Sequence, residues 1–340
     1  MSQYKQVQEL VAQSEHIIVL QADNPDGDSL GSSLALEAIF SEMGKKVTLV
    51  CTVDMPAHLR YLPGWDRVVK EIPTVFNLTV IVDTSTETLF ENANKNRGFE
   101  WIKTKPVIVL DHHTESEGLS FATFSVVEPV VATSELIYKI ALDCNWPLPV
   151  DACDMMAMSI MSDSLGLTTS STTPESFRVM ANLVEIGVDL AKLDSARREL
   201  MKKEQILIPY KGDLLKRVVF DDNGRIASII IPWKEIEKYS PIYNPTVLVM
   251  DDMRMTVGVE IAIGYKVYKD GKITGKIRCN YGSPIANDLA VKFGGGGHPY
   301  AAGFKILDGT PIETLKSNVN KVVIDLLKMN LTNNNTEAIN

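Results

Sequence analysis

The sequence predicts an α/β protein of two domains: an N-terminal parallel sheet covered by helices, then a smaller C-terminal α/β domain. Three observations lead there. The chain has 340 residues, enough for two hydrophobic cores. Its first half alternates short β-rich apolar runs with helical patterns, the signature of strands joined by crossover helices. Around residues 193–205 the pattern turns charged and helical, and beyond it strands follow one another across turn signals.

Taken in order, candidate strands fall at residues 17–21, 47–51, 78–82 and 106–110, each ending in or near polar residues. Between the first two, residues 32–43 place Leu34, Ile39, Phe40 and Met43 on one helical face, with Gly44 as a stop. Residues 133–142 read as a helix, and Pro147 and Pro149 mark the loop after it. Residues 151–161 read as a buried helix whose Met155, Met156, Met158 and Met161 are core packing. Asp194, Arg197, Arg198, Glu199, Lys202, Lys203 and Glu204 then mark a solvated helical linker, assigned to residues 191–215. Past it, residues 218–231, 246–251, 256–268 and 275–279 read as strands, with turns at Asp222-Asn223-Gly224 and Asp270-Gly271. A helix over 284–292 precedes a glycine-rich segment. The polar tail, residues 330–340, is expected to be disordered.

Composition narrows the function classes. Hydrophobic residues make up 45% and charged residues 23%, as in an ordinary globular protein. No apolar run approaches the roughly 18 residues that span a bilayer, and MSQYKQVQEL lacks a signal peptide's apolar core. A cytoplasmic protein without a membrane partner is expected. The net charge of −9 argues against a wide basic surface for long nucleic acid. It leaves room for a small anionic substrate served by metal ions and a few placed cations. Cys51, Cys144, Cys153 and Cys279 show no metal-binding spacing and read as buried thiols. Of the five histidines, His16 and His58 belong to no motif, while His112 and His113 are adjacent.

The chemistry concentrates at strand ends. QADNPDGDSLGSSLAL, residues 21–36, packs Asp23, Asp26 and Asp28 within six residues after an apolar run. Asn-Pro-Asp-Gly alone favours an exposed turn. Clustered carboxylates in a folded site instead need a cation, a proton or a network of donors. Asp83 in VIVDTST, Asp111-His112-His113 in VIVLDHH, and Asp163 after the Met-rich helix repeat the pattern. Ligands of open α/β sheets bind at the carboxyl ends of strands. Carboxylate and imidazole ligands without thiolate suit Mn²⁺ or Mg²⁺. Two such ions about 3.5–4 Å apart share a carboxylate, clamp a phosphate and activate water.

The motifs NPDGDSLGSSLAL, VDT, DHH and SDS, in this order and at these intervals, resemble the DHH phosphoesterase superfamily. Residues 276–304, KIRCNYGSPIANDLAVKFGGGGHPYAAGF, resemble its DHHA1 substrate-binding domain. The resemblance implies a DHH catalytic domain over 1–190 and a DHHA1 domain over 216–329, with the active site in the cleft between them. It implies Asp26, Asp28, Asp83, His112 and Asp163 as metal ligands, Asp83 being the bridge. His113 faces the phosphate as a donor, and Asp111 orients the histidine pair. Arg278 grips a distal phosphate, Gly295, Gly296 and Gly297 cradle an anion by their backbone, and His298 contacts the substrate. Ser134 matches a small polar helix start near the active site, a position that N-capping also explains.

Two positions depart from the family pattern. Ala22 stands where a histidine ligand is usual, so the ion shared by Asp26 and Asp83 lacks a partner unless Gln21 or Asp23 substitutes. Cys279 stands where a serine is usual. The resemblance implies a manganese-dependent phosphodiesterase, with Mg²⁺ as the alternative ion. Its partners are dinucleotides, very short oligoribonucleotides and 3′-phosphoadenosine 5′-phosphate (pAp), and a homodimer is the candidate assembly. Hydrolysis of cyclic dinucleotides is the alternative reaction. A nucleotide-binding protein with little catalysis is the alternative of another class, favoured only by Ala22.

Overall fold

The structure is a computed structural model describing residues 3–114 and 118–337. The chain divides into two units, Met1–Lys202 and Lys203–Asn340.

In the first unit the apolar runs become a fully parallel sheet of five strands: β1 (His16–Leu20), β2 (Lys46–Val50), β3 (Leu78–Val82), β4 (Val107–Asp111) and β5 (Phe124–Val127). Their order is β2-β1-β3-β4-β5. Strands β1, β3 and β4 are buried on both faces, which is why their sequences are continuously apolar rather than alternating. The two-residue period survives in the packing. Ile17 and Val19 join one core while Ile18 and Leu20 join the other. The first core is filled by α1 (Gln3–Ala12), α2 (Gly27–Glu42), α5 (Thr133–Asp143), α6 (Val150–Asp163), α7 (Pro174–Ile186) and the start of α8 (Leu190–Leu200). The second lies under the short helices α3 (Glu91–Lys95) and α4 (Gly98–Lys103). Strand order reverses between β1 and β3, and there the carboxyl ends of the strands open a crevice.

Helices α2 and α6 cross at unusually close range. A Cβ on Gly27 would lie 2.1 Å from Ser162 Oγ, and one on Gly31 would lie 2.8 Å from Ser159 Cβ. Two glycines four residues apart on one helical face therefore set how near α6 brings its polar residues to α2.

The second unit holds a six-stranded sheet, ordered β10-β11-β9-β8-β7-β6. Helix α9 (Leu207–Leu215) leads to the hairpin β6 (Val219–Asp221) and β7 (Ile226–Pro232), turned at Asp222-Asn223-Gly224 with positive φ at all three residues. Then come α10 (Trp233–Tyr239), α11 (Pro245–Arg254), β8 (Ile261–Val267), β9 (Ile273–Cys279), α12 (Ala286–Lys292), β10 (Gly296–His298), β11 (Ala301–Ile306) and α13 (Ile312–Glu337). Only β7 and β8 pair in parallel. Helices α12 and α13 cover one face, and α9, α10 and α11 pack on the other.

Three expectations are corrected here. Residues 246–251 are helical, not a strand. Asn244 caps Thr246 N–H at 3.2 Å, Pro245 opens the helix, and Leu248, Val249 and Met253 bury at helical spacing. The strand expected over 256–268 begins only at Ile261. The tail expected to lack structure is helical as far as Glu337, and residues 338–340 lie outside the described residues. All four cysteines are free and buried. No described helix is long and apolar enough to cross a membrane.

Candidate metal centre and a cationic row

The Asn-Pro-Asp-Gly turn is real, and it builds the site. Asp26 is the N-cap of α2: its Oδ1 accepts from the N–H groups of Asp28 and Ser29, both at 3.0 Å, and Ser29 Oγ accepts from Asp26 N–H at 2.9 Å. This start turns Asp28 inward, where it is 1% exposed. Asp28 accepts from Ser32 Oγ at 3.0 Å, from Ser159 Oγ, and from the N–H groups of Thr133 at 2.7 Å and Ser134 at 3.4 Å. Donors from α2, α6 and the start of α5 thus offset the desolvation of one buried carboxylate.

Asp83 follows β3 with φ +60°, a left-handed conformation that few non-glycine residues adopt. It accepts from Thr133 Oγ1 at 3.3 Å. Burial, then the negative charges of Asp28, Asp26 and Asp111, raise its carboxyl well above the usual range. Asp163 ends α6, and burial together with Asp28 pushes it up to about 6.

Asp111 ends β4 and is fully buried. It accepts from Ser85 Oγ at 2.5 Å, from His112 N–H at 2.8 Å and from His113 N–H at 3.1 Å. Burial would raise its carboxyl, but the bonds from His113 and Ser85 outweigh that and hold it low. His113 Nδ1 lies 2.8 Å from Asp111 Oδ1, and this bond raises the imidazole's pKa. His113 is thereby committed to Asp111 on one side and half exposed on the other, the arrangement of an oriented proton donor.

His112 points the other way. Its Nδ1 is 3.2 Å from Val130 O, a carbonyl that only accepts, so Nδ1 carries a proton and Nε2 is the nitrogen left to face the site. That Nε2 is buried without a hydrogen-bond partner among the described residues. It lies 3.4 Å from Asp83 Oδ1, 3.7 Å from Asp28 Oδ2 and 3.7 Å from Asp163 Oδ2. With the ring neutral, an Nε2 lone pair facing three carboxylates fits a divalent cation between them. Ligand atoms of Asp28, His112 and Asp163 all lie within 4.8 Å of one another, as do those of Asp83, His112 and His113. The carbonyl behind the ring fixes tautomer and orientation, as partners of metal-bound histidines do.

Asp26 belongs to neither group, but it lines a cavity of about 190 Å³ with Ala22, Asp83, Ser85, Asp111 and His113. Among the described residues, neither Gln21 nor Asp23 lines it. Asp23 instead accepts from Thr52 Oγ1 and Asn92 N–H, both at 2.6 Å, and so anchors neighbouring loops. Gln21 is fully buried, and its side-chain amide has no hydrogen-bond partner among the described residues.

Ser134 requires correction. It is fully buried, its Oγ lies 2.5 Å from Ser159 Oγ and donates to Met156 O at 3.3 Å, and the N-cap of α5 is Ala132. It acts through Asp28, as do Thr133, Ser32 and Ser159, which the sequence reading missed. Ser32 stands four residues after Asp28 and Ser159 four before Asp163, a helical spacing that was there to be read.

In the second unit the glycine run ends in an edge strand, β10, which takes in Gly296 and Gly297. A Cβ on Gly295 would lie 2.1 Å from Gly303 O; one on Gly297, at φ +150°, would lie 2.6 Å from Ala301 O. These two glycines let β10 approach β11. His298 pairs with Ala301, and Ala301 with Arg278, so the imidazole and the guanidinium belong to one row across β10, β11 and β9. Strand β9 alternates buried Ile273, Gly275, Ile277 and Cys279 with half-buried Thr274, Lys276 and Arg278. Lys266 of β8 pairs with Thr274 on that second face. Among the described residues Lys266, Lys276 and Arg278 form no ion pair, and burial depresses both lysines, followed by the charge of Lys276 on Lys266 and of Arg278 on Lys276. The two lysines were not among the sequence candidates, although the alternation in ITGKIRC places Lys276 beside Arg278.

The DHH family, N-terminal domain, matches residues 16–160, and the DHHA1 domain matches residues 245–328. The chain belongs to the DHH/DHHA1 family of phosphoesterases. Among its relatives is a bifunctional oligoribonuclease and PAP phosphatase NrnA from Thermus thermophilus, 27% identical, the match covering 82% of this chain and 81% of that protein. A probable bifunctional oligoribonuclease and PAP phosphatase NrnA from Streptococcus mutans is 25% identical, with 89% and 93% covered. The crystal structure of an exopolyphosphatase-related protein from Bacteroides fragilis shares the fold, with a TM-score of 0.79, 18% identity and 97% of each chain covered.

Proposed function

We propose that this protein is a manganese-dependent phosphodiesterase that hydrolyses dinucleotides and very short oligoribonucleotides to nucleoside 5′-monophosphates. On this reading it also removes the 3′-phosphate of pAp, and Mg²⁺ is the alternative ion. The observation that carries the reading is the bare, buried Nε2 of His112 facing Asp28, Asp83 and Asp163. The names of relatives matched along most of the chain support the substrate class.

Asp28, His112 and Asp163 would hold one ion, and Asp83 and Asp26, which line one cavity, would contribute to a second. Filled, this ligand set supplies Lewis-acid polarisation of a phosphate and a more acidic water. His113, oriented by Asp111 and with its pKa raised by that bond, donates to a phosphate or leaving-group oxygen. Arg278 offers a guanidinium fork to a further phosphate, with His298 in the same row.

The test is a product profile with Mn²⁺, using pApA, RNAs of two to five residues and of about twenty, pAp, cyclic di-AMP and single-stranded DNA, with an Asp83→Ala control. Release of mononucleotides mainly from the shortest RNAs, lost in the control, is the expected result. Preferential opening of cyclic di-AMP would move the protein to the cyclic dinucleotide hydrolases. Binding of nucleotides with no cleavage would make it a binder whose chemistry was lost with the histidine absent at Ala22.

A further inference from the structure

Two aromatic residues stand close in sequence to the ends of the strands that carry the cationic row. Tyr281 is 98% exposed and Tyr300 38% exposed, and their planes are parallel to within 7° with centroids 6.5 Å apart. At that separation the pair is near the far limit of direct aromatic contact, and the exposure of Tyr281 leaves its faces uncovered. A planar ligand stacked on one ring therefore lies parallel to the other as well.

The backbones beneath these rings are held firmly. Asn280 donates through Nδ2 to Arg254 O at 2.8 Å and Val259 O at 2.7 Å, and its N–H donates to Glu260 O at 2.9 Å. Ser283 Oγ donates to Glu260 Oε2 at 2.7 Å. Tyr300 sits with Pro299 in the two-residue turn joining β10 to β11. Its carbonyl accepts from Cys279 N–H at 2.9 Å, and that of Pro299 accepts from Ala286 N–H at 2.8 Å. An exposed ring on a pinned backbone loses little freedom when a ligand covers it.

Position supplies the charge complement. Tyr300 lies between His298 and Ala301, and Tyr281 lies three residues past Arg278, the residue paired with Ala301. Stacking rings next to unpaired cations are the two parts of a single-stranded nucleic-acid site: the rings take bases and the cations take the backbone.

We propose that Tyr281 and Tyr300 form a nucleobase-stacking site that selects base-bearing substrates over inorganic phosphate chains, with the phosphate of the stacked nucleotide on the Arg278 row. This rests on the reading above and names which part of the substrate the second unit recognises.

The full-length protein, without added metal so that no turnover occurs, is titrated with a 2-aminopurine-containing diribonucleotide while its fluorescence is followed. The same dinucleotide with one abasic position provides the second probe. Stacking quenches the fluorophore, and Tyr281→Ala and Tyr300→Ala are each expected to raise Kd about tenfold. Tyr→Phe at either site is expected to keep Kd within about twofold, because the ring and not the hydroxyl is used. The abasic probe is expected to bind the wild type as weakly as the intact probe binds the alanine variants. Unchanged Kd in both alanine variants, or an equal loss with either probe, would overturn the proposal. Both surface variants are checked for an unaltered melting temperature. Pyrophosphate and pApA hydrolysis with Mn²⁺ is run in parallel. Cleavage of pApA by wild type and alanine variants with equal KM sinks the stacking site alone. Stacking with hydrolysis of pyrophosphate but not pApA sinks the phosphodiesterase reading alone.

Discussion

Adjacent in sequence, His112 and His113 do opposite work because different acceptors hold their Nδ1 atoms. A carbonyl behind His112 accepts the Nδ1 hydrogen bond and leaves Nε2 to face the carboxylates, whereas a carboxylate behind His113 favours the charged ring. Replacing His113 with Gln is expected to lower kcat on pApA about a hundredfold with little change in KM, measured by steady-state kinetics. At Ala22 the missing histidine leaves the cavity beside Asp26 and Asp83 without an extra ligand. Ala22→His is expected to raise the number of tightly bound Mn²⁺ ions from one to two per chain, read by calorimetry; an unchanged count would show that the site needs more than the ligand. The acids and the DHH triplet were legible because they recur at the ends of apolar runs. The fate of Gln21 and Asp23 was not, because it depends on which neighbours a loop offers: Thr52 and Asn92 had claimed Asp23.

At the scale of elements, the contact of α2 with α6 determines whether Asp28 meets Ser159. Gly31 has no room for a side chain, its added Cβ falling 2.9 Å from Met155 O, a backbone atom that cannot swing aside. Gly31→Val is expected to destabilise the protein by about 1–3 kcal/mol in urea unfolding. It is also expected to weaken metal binding, since Asp163 ends the displaced helix. The parallel strands and the Met-rich helix were readable from their apolar runs. Residues 246–251 were misread because a short apolar run fits strand and helix alike, and the deciding signals, Asn244 and Pro245, lie just before it. The β10–β11 hairpin escaped notice for a different reason: glycines that permit close strand approach look, in sequence, like glycines of a flexible loop.

On the scale of the molecule, the first unit gathers carboxyls that resist ionisation and the second gathers unpaired cations, a division hidden in the net charge of −9. The raised carboxyls have a thermodynamic sign. Asp163 titrates near 6 when folded and near about 3.9 when unfolded. Its favourable contribution is therefore complete below about 3.9 and is lost as pH rises through about 6. Asp83 is shifted in the same direction. Saturating Mn²⁺ is accordingly expected to raise the melting temperature by roughly 5 °C or more, and by more at pH 7.5 than at pH 5, relative to protein in chelator. An equal rise at both pH values would mean that these carboxyls do not give up protons to the ion. The same ligand set bears on how the chain matures. Asp28, Asp83, His112 and Asp163 come from four separated stretches, and the last of them closes α6. A nascent chain therefore cannot complete this set until Asp163 has left the ribosome and α6 has docked on α2, so ion capture would mark a finished N-terminal unit and leave truncated products without the full set.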